Sequence, residues 1–265
     1  MFEVFQFDFM VRAFIAGIAV AITAPLVGIF LVVRRYSFMA DALAHLSLLG
    51  AVIGFLTNIY PLFTAALVSV ISGFGMEKLR RNKKFAGDAV LALFLSGGLA
   101  IAVVLIGVAR GTSGNLFGFL FGSITIVSRS DLFFMLSLCI FTIAMVVGLY
   151  KELFLVSLDE EIAQANGIHA DRFNLIMVLL AALSVSLSIK IVGALLIGAL
   201  MVIPVMTAMQ FGKGFKETII LSLLFSVASA VIGLFLSYYA GWASGGTIVL
   251  VALIMFLSSL LVTKK

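Results

Sequence analysis

The sequence predicts an all-α polytopic membrane protein, and three observations predict it. Hydrophobic residues fill 63% of the 265 positions and charged residues 11%, against about 45–50% and 25% in soluble domains. The mean hydropathy is +1.29, more apolar surface than a soluble interior of this size could hide. The apolar residues also fall into nine runs near the length of about 20 residues that crosses a bilayer. Disordered, fibrous, disulfide-rich and nucleic-acid-binding classes are excluded. The net charge of +5 and pI near 9.5 reflect Lys and Arg gathering in cytoplasmic loops.

The runs cover 11–33, 39–57, 60–79, 88–109, 131–150, 173–189, 191–209, 218–240 and 247–263. Arg34-Arg35 separates the first from the second. Arg80-Arg81 and Lys83-Lys84 close the third, and Gly87-Asp88 opens the fourth, with Asp88 placed as an N-cap or first-turn acid. The apolar but Gly-broken stretch 114–127 reads as a re-entrant or interfacial helix. The longest polar interruption, 151–172, divides the fifth from the sixth. Lys190 marks the sixth boundary, Lys213 and Lys216 the seventh, and Ser244-Gly245-Gly246-Thr247 the turn before the last, where Ser244 or Thr247 would cap the helix. The basic clusters fall on alternate run ends. They place the N-terminus outside and the C-terminus in the cytoplasm, with Arg110, Arg129 and Lys190 outside. Nine spans satisfy this pattern; eight would require 173–189 and 191–209 to be miscounted.

Nine spans use roughly 180 residues and leave roughly 85 for loops and termini, so residues 1–265 form one transmembrane domain with no soluble catalytic domain. No cleavable signal peptide is expected. Cys139 lies in an apolar run and has no second cysteine to pair with, so it reads as a small apolar filler. There is no G-x-x-x-x-G-K-[ST] loop; Phe211-Gly212-Lys213-Gly214 is only a basic, glycine-containing loop. If ATP drives this protein, another chain hydrolyses it.

Few residues can carry chemistry. Asp41 and His45 are four apart, so a helix puts them on one face, in or at the edge of the second span. An intramembrane Asp costs about 2.5–3.5 kcal/mol even on lenient scales, so such residues face a cavity or a partner. A carboxylate with a neutral imidazole suits zinc, manganese or iron(II). Ser47 is a further polar candidate. The competing reading pairs Asp41 with Arg34 or Arg35 and makes His45 a packed core residue. Binding would need Asp41 ionised and His45 neutral, so uptake would fall below about pH 6.

The loop 151–172 contains Asp159, Glu160 and Glu161, then Ala163 and Gly167. A short helix is expected near 157–169, with Asp159 as N-cap and Gly167 as its stop. It is either an ordinary amphipathic loop helix or a docking helix for a soluble partner. Pro204 should kink its run, and Gly193 and Gly198 permit either bending or close packing.

Together these motifs resemble the membrane permeases of zinc and manganese ABC importers, the zinc type most of all. The carriers are Leu31-Val32-Val33-Arg34-Arg35 leading to Ala40-Asp41-Ala42-Leu43-Ala44-His45, Gly87-Asp88-Ala89-Val90, and Leu120-Phe121-Gly122-Ser123-Ile124. Asp159-Glu160-Glu161-Ile162-Ala163 with Gly167-Ile168, Val192-Gly193-Ala194-Leu195-Leu196 through Ile203-Pro204, and Ser244-Gly245-Gly246-Thr247-Ile248-Val249-Leu250 complete them. The family's usual Gly-Asp-Ala-x-Ser-His has Ala40 and Ala44 here, but keeps Asp41 and His45.

The resemblance implies a type II importer fold in the bacterial cytoplasmic membrane and a homodimer of permeases. It also implies two cytoplasmic ATPase chains and an extracytoplasmic metal-binding protein or lipoprotein. The cargo would be zinc or manganese, and no cofactor would be bound by this chain. Glu161-x-Ala163-x-x-x-Gly167 matches the spacing by which such permeases engage their ATPase. The alternative is a secondary transporter or channel for a divalent cation. The scarcity of intramembrane acids counts against it, because a proton-coupled carrier needs several ionisable groups. No H-E-x-x-H or similar pair supports a protease.

Overall fold

The computed structural model describes residues 6–82, 84–108, 118–123, 125 and 127–262. Lys83, Arg110, Lys264 and Lys265 lie outside them, as do 109–117, 124 and 126, so the helix expected over 114–127 falls partly outside the described residues. Among the described residues the protein is all helical. The helices are α1 (Asp8–Val33), α2 (Ser37–Thr57), α3 (Pro61–Arg80), α4 (Gly87–Val108), α5 (Arg129–Gly148), α6 (Tyr150–Leu158), α7 (Glu160–Ala165), α8 (Ala170–Ser188), α9 (Ile197–Met209), α10 (Phe215–Ala240) and α11 (Ser244–Val262).

Eight of these are long and apolar enough to cross a membrane: α1 to α5, α8, α10 and α11. The run 191–209 departs from a continuous span. Its helix α9 has 13 residues, about 20 Å of rise, short of the roughly 30 Å hydrocarbon core. The rest of that pass is turns over 189–196. The chain still travels end to end there. Lys190 meets Asp131 at the start of α5, whereas Phe215 lies 5.6 Å from Phe30 near the end of α1.

The reason for the break is backbone pairing. Gly193 has φ +87, and its Cα sits where a Cβ would overlap Leu120 O and Gly122 N. A neighbouring helical turn at 118–121 supplies partners: Ala194 N donates to Phe119 O at 2.8 Å and Leu195 N to Leu120 O at 3.2 Å. Ser123 N donates to Lys190 O at 3.0 Å. Ser244 does not cap α11; its hydroxyl donates to Ile191 O at 2.8 Å. Irregular backbone at membrane depth is tolerated when it is satisfied this way.

The core is α1, α2, α8 and α9. Residues from Met10 to Leu31 of α1 and from Met39 to Val52 of α2 are mostly buried. Small residues let the backbones approach. A Cβ on Gly28 would overlap Met201 O of α9, and one on Gly50 would reach Thr64 O of α3 at 2.5 Å. Pro25 inside α1 and Pro204 inside α9 are both buried, and neither ends its helix. The outer helices α4 and α5 turn Leu93, Val104, Phe133 and Ile140 outward, as lipid-facing helices do. Cys139 is buried among apolar neighbours.

Candidate metal site and cytoplasmic network

Asp41 and His45 lie in the second and third turns of α2, one above the other. Asp41 is half-buried, and its carboxylate is pressed against Gly198 of α9; a Cβ there would overlap Oδ1. His45 is buried, and its Nδ1 has no hydrogen-bond partner among the described residues. A buried ring nitrogen left unpaired is costly unless something else occupies its lone pair. Ser47, two residues further on, is committed elsewhere, donating to Ser186 Oγ at 3.3 Å.

Neither alternative partner pairs with Asp41 among the described residues: Arg35 makes no ion pair with it, and Arg34 is engaged elsewhere. The Arg34 guanidinium holds Glu160 of α7 and the Asn174 carbonyl of α8. Asn174 Nδ2 also donates to Glu160 Oε1 at 3.0 Å, closing a triangle. Arg34 is 6% exposed at its side chain. Arg80 stacks on the Tyr36 ring at 3.9 Å and makes two bonds, 3.0 and 3.1 Å, to buried Glu77. Arg81 pairs with Asp171.

Among the described residues no three His, Cys, Asp or Glu side chains gather into a metal-binding group. Asp41 and His45 are therefore a pair, and a cation between them would complete its shell from water, backbone or another molecule.

The polar loop folds as two helices rather than one near 157–169. α6 ends at Leu158, Asp159 leaves helical geometry at φ −156, and α7 follows. Asp159 caps α7, accepting from Glu161 N at 2.8 Å and Ile162 N at 3.0 Å. Ala163 is buried, and Glu160 points inward to Arg34, while Glu161, Ile162 and Gly167 face outward. Gly167 has φ +79 with open space around it.

A second polar cluster joins residues that the sequence does not mark as a group. Asp131, Lys190 and Tyr60 form a buried cluster at the opposite end of the bundle: Lys190 Nζ lies 2.6 Å from Asp131 Oδ2, and Tyr60 Oη donates to Oδ1 at 2.5 Å. Lys190, a single charge at a span boundary in the sequence, is 10% exposed and paired. Burial, then the bond to Asp131, pushes the Tyr60 phenol above its ordinary pKa, so it stays protonated and donates. The signal available in sequence was Asp131 three residues after Ser128, a capping box, which the structure forms in full.

Comparison with known proteins completes the picture. The chain is 36% identical over 259 residues to a probable metal transport system membrane protein of Treponema pallidum, covering 98% of this chain and 97% of that one. It is 30% identical to the high-affinity zinc uptake system membrane protein of Haemophilus influenzae, over 96% of this chain and 98% of that one. It is 31% identical to the manganese import system permease of Streptococcus gordonii, over 98% and 93%. Among solved structures, PsaBC of Streptococcus pneumoniae in complex with a Fab superposes with a TM-score of 0.88 at 30% identity, covering 97% of this chain and 92% of that one. Residues 6–263 match the family described as the ABC 3 transport family. With eight membrane-length helices, a broken ninth pass and that match along nearly its whole length, the chain belongs to the ABC 3 transport family of multi-pass membrane permeases.

Proposed function

We propose that this chain is the membrane-spanning permease of an ABC importer for a divalent metal, zinc or else manganese, with Asp41 and His45 as transient ligands. The observation that carries the reading is the α2 face itself. It presents a carboxylate confined by Gly198 and a buried imidazole nitrogen with no partner among the described residues. Oxygen and nitrogen donors of this kind suit both metals, and the names of the relatives divide between them. Two protein ligands hold a cation more weakly than a closed four-ligand site, as transport requires, since the ion must leave.

The energy source is a separate cytoplasmic ATPase, two copies on a permease homodimer, with a metal-binding protein delivering the ion from outside. The outward face of α7, Glu161 and Ile162 with Gly167 beyond it, is the docking surface. Asp159 and Ala163 build that face, one by capping and one by packing. The end carrying Arg34, Arg80 and Arg81 is cytoplasmic by charge, which leaves the N-terminus outside and the C-terminus inside.

The test is zinc and manganese accumulation in proteoliposomes holding permease and ATPase, normalised to inserted protein. Asp41→Asn and His45→Ala are each expected to cut uptake of the transported metal by about 10–100-fold or more, the loss seen when even an outer partner of a metal ligand is removed. Near-wild-type accumulation in both variants would return Asp41 and His45 to packing roles.

A further inference from the structure

We propose that Arg34 is the positioning residue through which α7 acts on the metal-binding face of α2, an inference that rests on α7 being the ATPase-docking helix. The Arg34 side chain is nearly enclosed, and its partners come from two other elements: Glu160 of α7 and Asn174 of α8. Its third partner is Tyr36, whose hydroxyl it reaches at 3.4 Å. Glu160 adjoins Glu161 in sequence, but the two point to opposite sides of α7, one to Arg34 and one to solvent. The ion pair that links α7 to the guanidinium is made by the Glu160 carboxylate, with Asn174 bridging the two.

The path from Arg34 to the metal face is short and stiff. Residues 34–36 join α1 to α2. Tyr36 N donates back to Leu31 O at 2.7 Å and Arg35 N to Val32 O at 3.0 Å, with Arg35 in the left-handed region at φ 61. That is the six-to-one and five-to-two bonding of a Schellman end, and it leaves the link little freedom. Met39 N then donates to Tyr36 O at 2.9 Å, carrying the link into α2. Asp41 follows two residues later, against Gly198. A shift of Arg34 must tilt the start of α2, and the tight Asp41–Gly198 contact makes the metal face sensitive to that tilt. The guanidinium cannot lose its charge, so breaking its pair with Glu160 leaves a buried cation that must find a second arrangement. Transmission between sites requires such an element with discrete arrangements.

The experiment measures metal transported per ATP hydrolysed in proteoliposomes of the permease with its ATPase, with ATPase co-purification and equilibrium metal binding measured alongside. Glu160→Gln and Arg34→Gln are each expected to lower metal per ATP by about fivefold or more while the ATPase stays bound and metal affinity is kept. The double variant is expected to be no worse than the worse single, and Arg34→Lys to recover part of the ratio. A purely structural contact would change protein yield or melting temperature without moving the ratio. An unchanged ratio in Glu160→Gln, additive losses in the double variant, or loss of the ATPase from Glu160→Gln would each overturn the proposal. Should Arg34→Gln fail to insert, Glu160→Gln and Arg34→Lys decide the matter. Glu161→Lys separates the underlying reading: retention of the ATPase there would refute docking through α7, whatever the ratio in the Glu160 variant.

Discussion

At Gly198, a single methyl group tests the metal site. A Cβ there would displace the Asp41 carboxylate, whereas Gly97, on lipid-facing α4, has open space around it. Gly198→Ala is therefore expected to lower metal uptake by about 10–100-fold, the range for disturbing a ligand's support, with Gly97→Ala near wild type; uptake kinetics in matched membranes compare them. The Asp131–Lys190 pair makes a different prediction. Asp131 is 1% exposed and holds Lys190, Tyr60 and the Ser128 backbone together. Removing one partner of a buried ion pair costs about 3–5 kcal/mol, so Asp131→Asn should lower the detergent melting temperature clearly. Metal affinity at Asp41 should be unaffected, because the cluster lies at the other end of the bundle. The sequence made Asp41 and His45 visible because ionisable residues are scarce in apolar runs and their spacing matches a helical turn. It left Arg34's partners undetermined, because Glu160 and Asn174 are distant in the chain and sequence charge patterns do not say which acid a base will reach.

The seventh pass is the element that behaves least like its sequence. The run 191–209 is apolar throughout, and hydropathy treats it as any other span. Its first six residues are turns because Gly193 adopts φ +87 and its neighbours bond to the 118–123 segment. No residue within the run announces that partner. Pro204, in contrast, was expected to kink or break the helix, and α9 passes through it. Pro204 and Pro25 of α1 each remove one backbone donor from helices that pack closely through Gly28 and Met201. Pro204→Ala should then slow transport several-fold while leaving metal affinity within about twofold, a split that binding and initial-rate measurements resolve. Equal rates would make Pro204 a packing residue. The loop 151–172 was legible in outline, since a cap, an acidic first turn and a glycine stop are local signals. Its division at Asp159, and the inward turn of Glu160, depend on what α7 packs against.

For the whole molecule the expected arrangement is a permease domain with opposite ends in opposite compartments. The basic residues Arg34, Arg80 and Arg81 share one end with Glu160 and Asp171, and Asp8 meets Arg129 at the other at 3.3 Å. Cys139, the sole cysteine, is buried, so single introduced cysteines can report sidedness in a Cys139→Ser background. A membrane-impermeant maleimide should label Arg129→Cys in intact cells or spheroplasts, and Ile162→Cys only after the membrane is opened. The reverse pattern would invert the topology and place α7 where no cytoplasmic ATPase could reach it. Composition, run lengths and the alternation of basic clusters by themselves determined that the protein is a multi-pass helical membrane domain, because insertion into lipid is governed by summed local hydropathy and charge. Only the tertiary structure decided that one pass is broken, that Gly198 confines Asp41, and that Arg34 joins α7 to α2. Each of these depends on backbone and side-chain partners more than 70 residues apart, such as Leu120 with Leu195, Asp41 with Gly198 and Arg34 with Glu160, and the contacts appear only when helices pack.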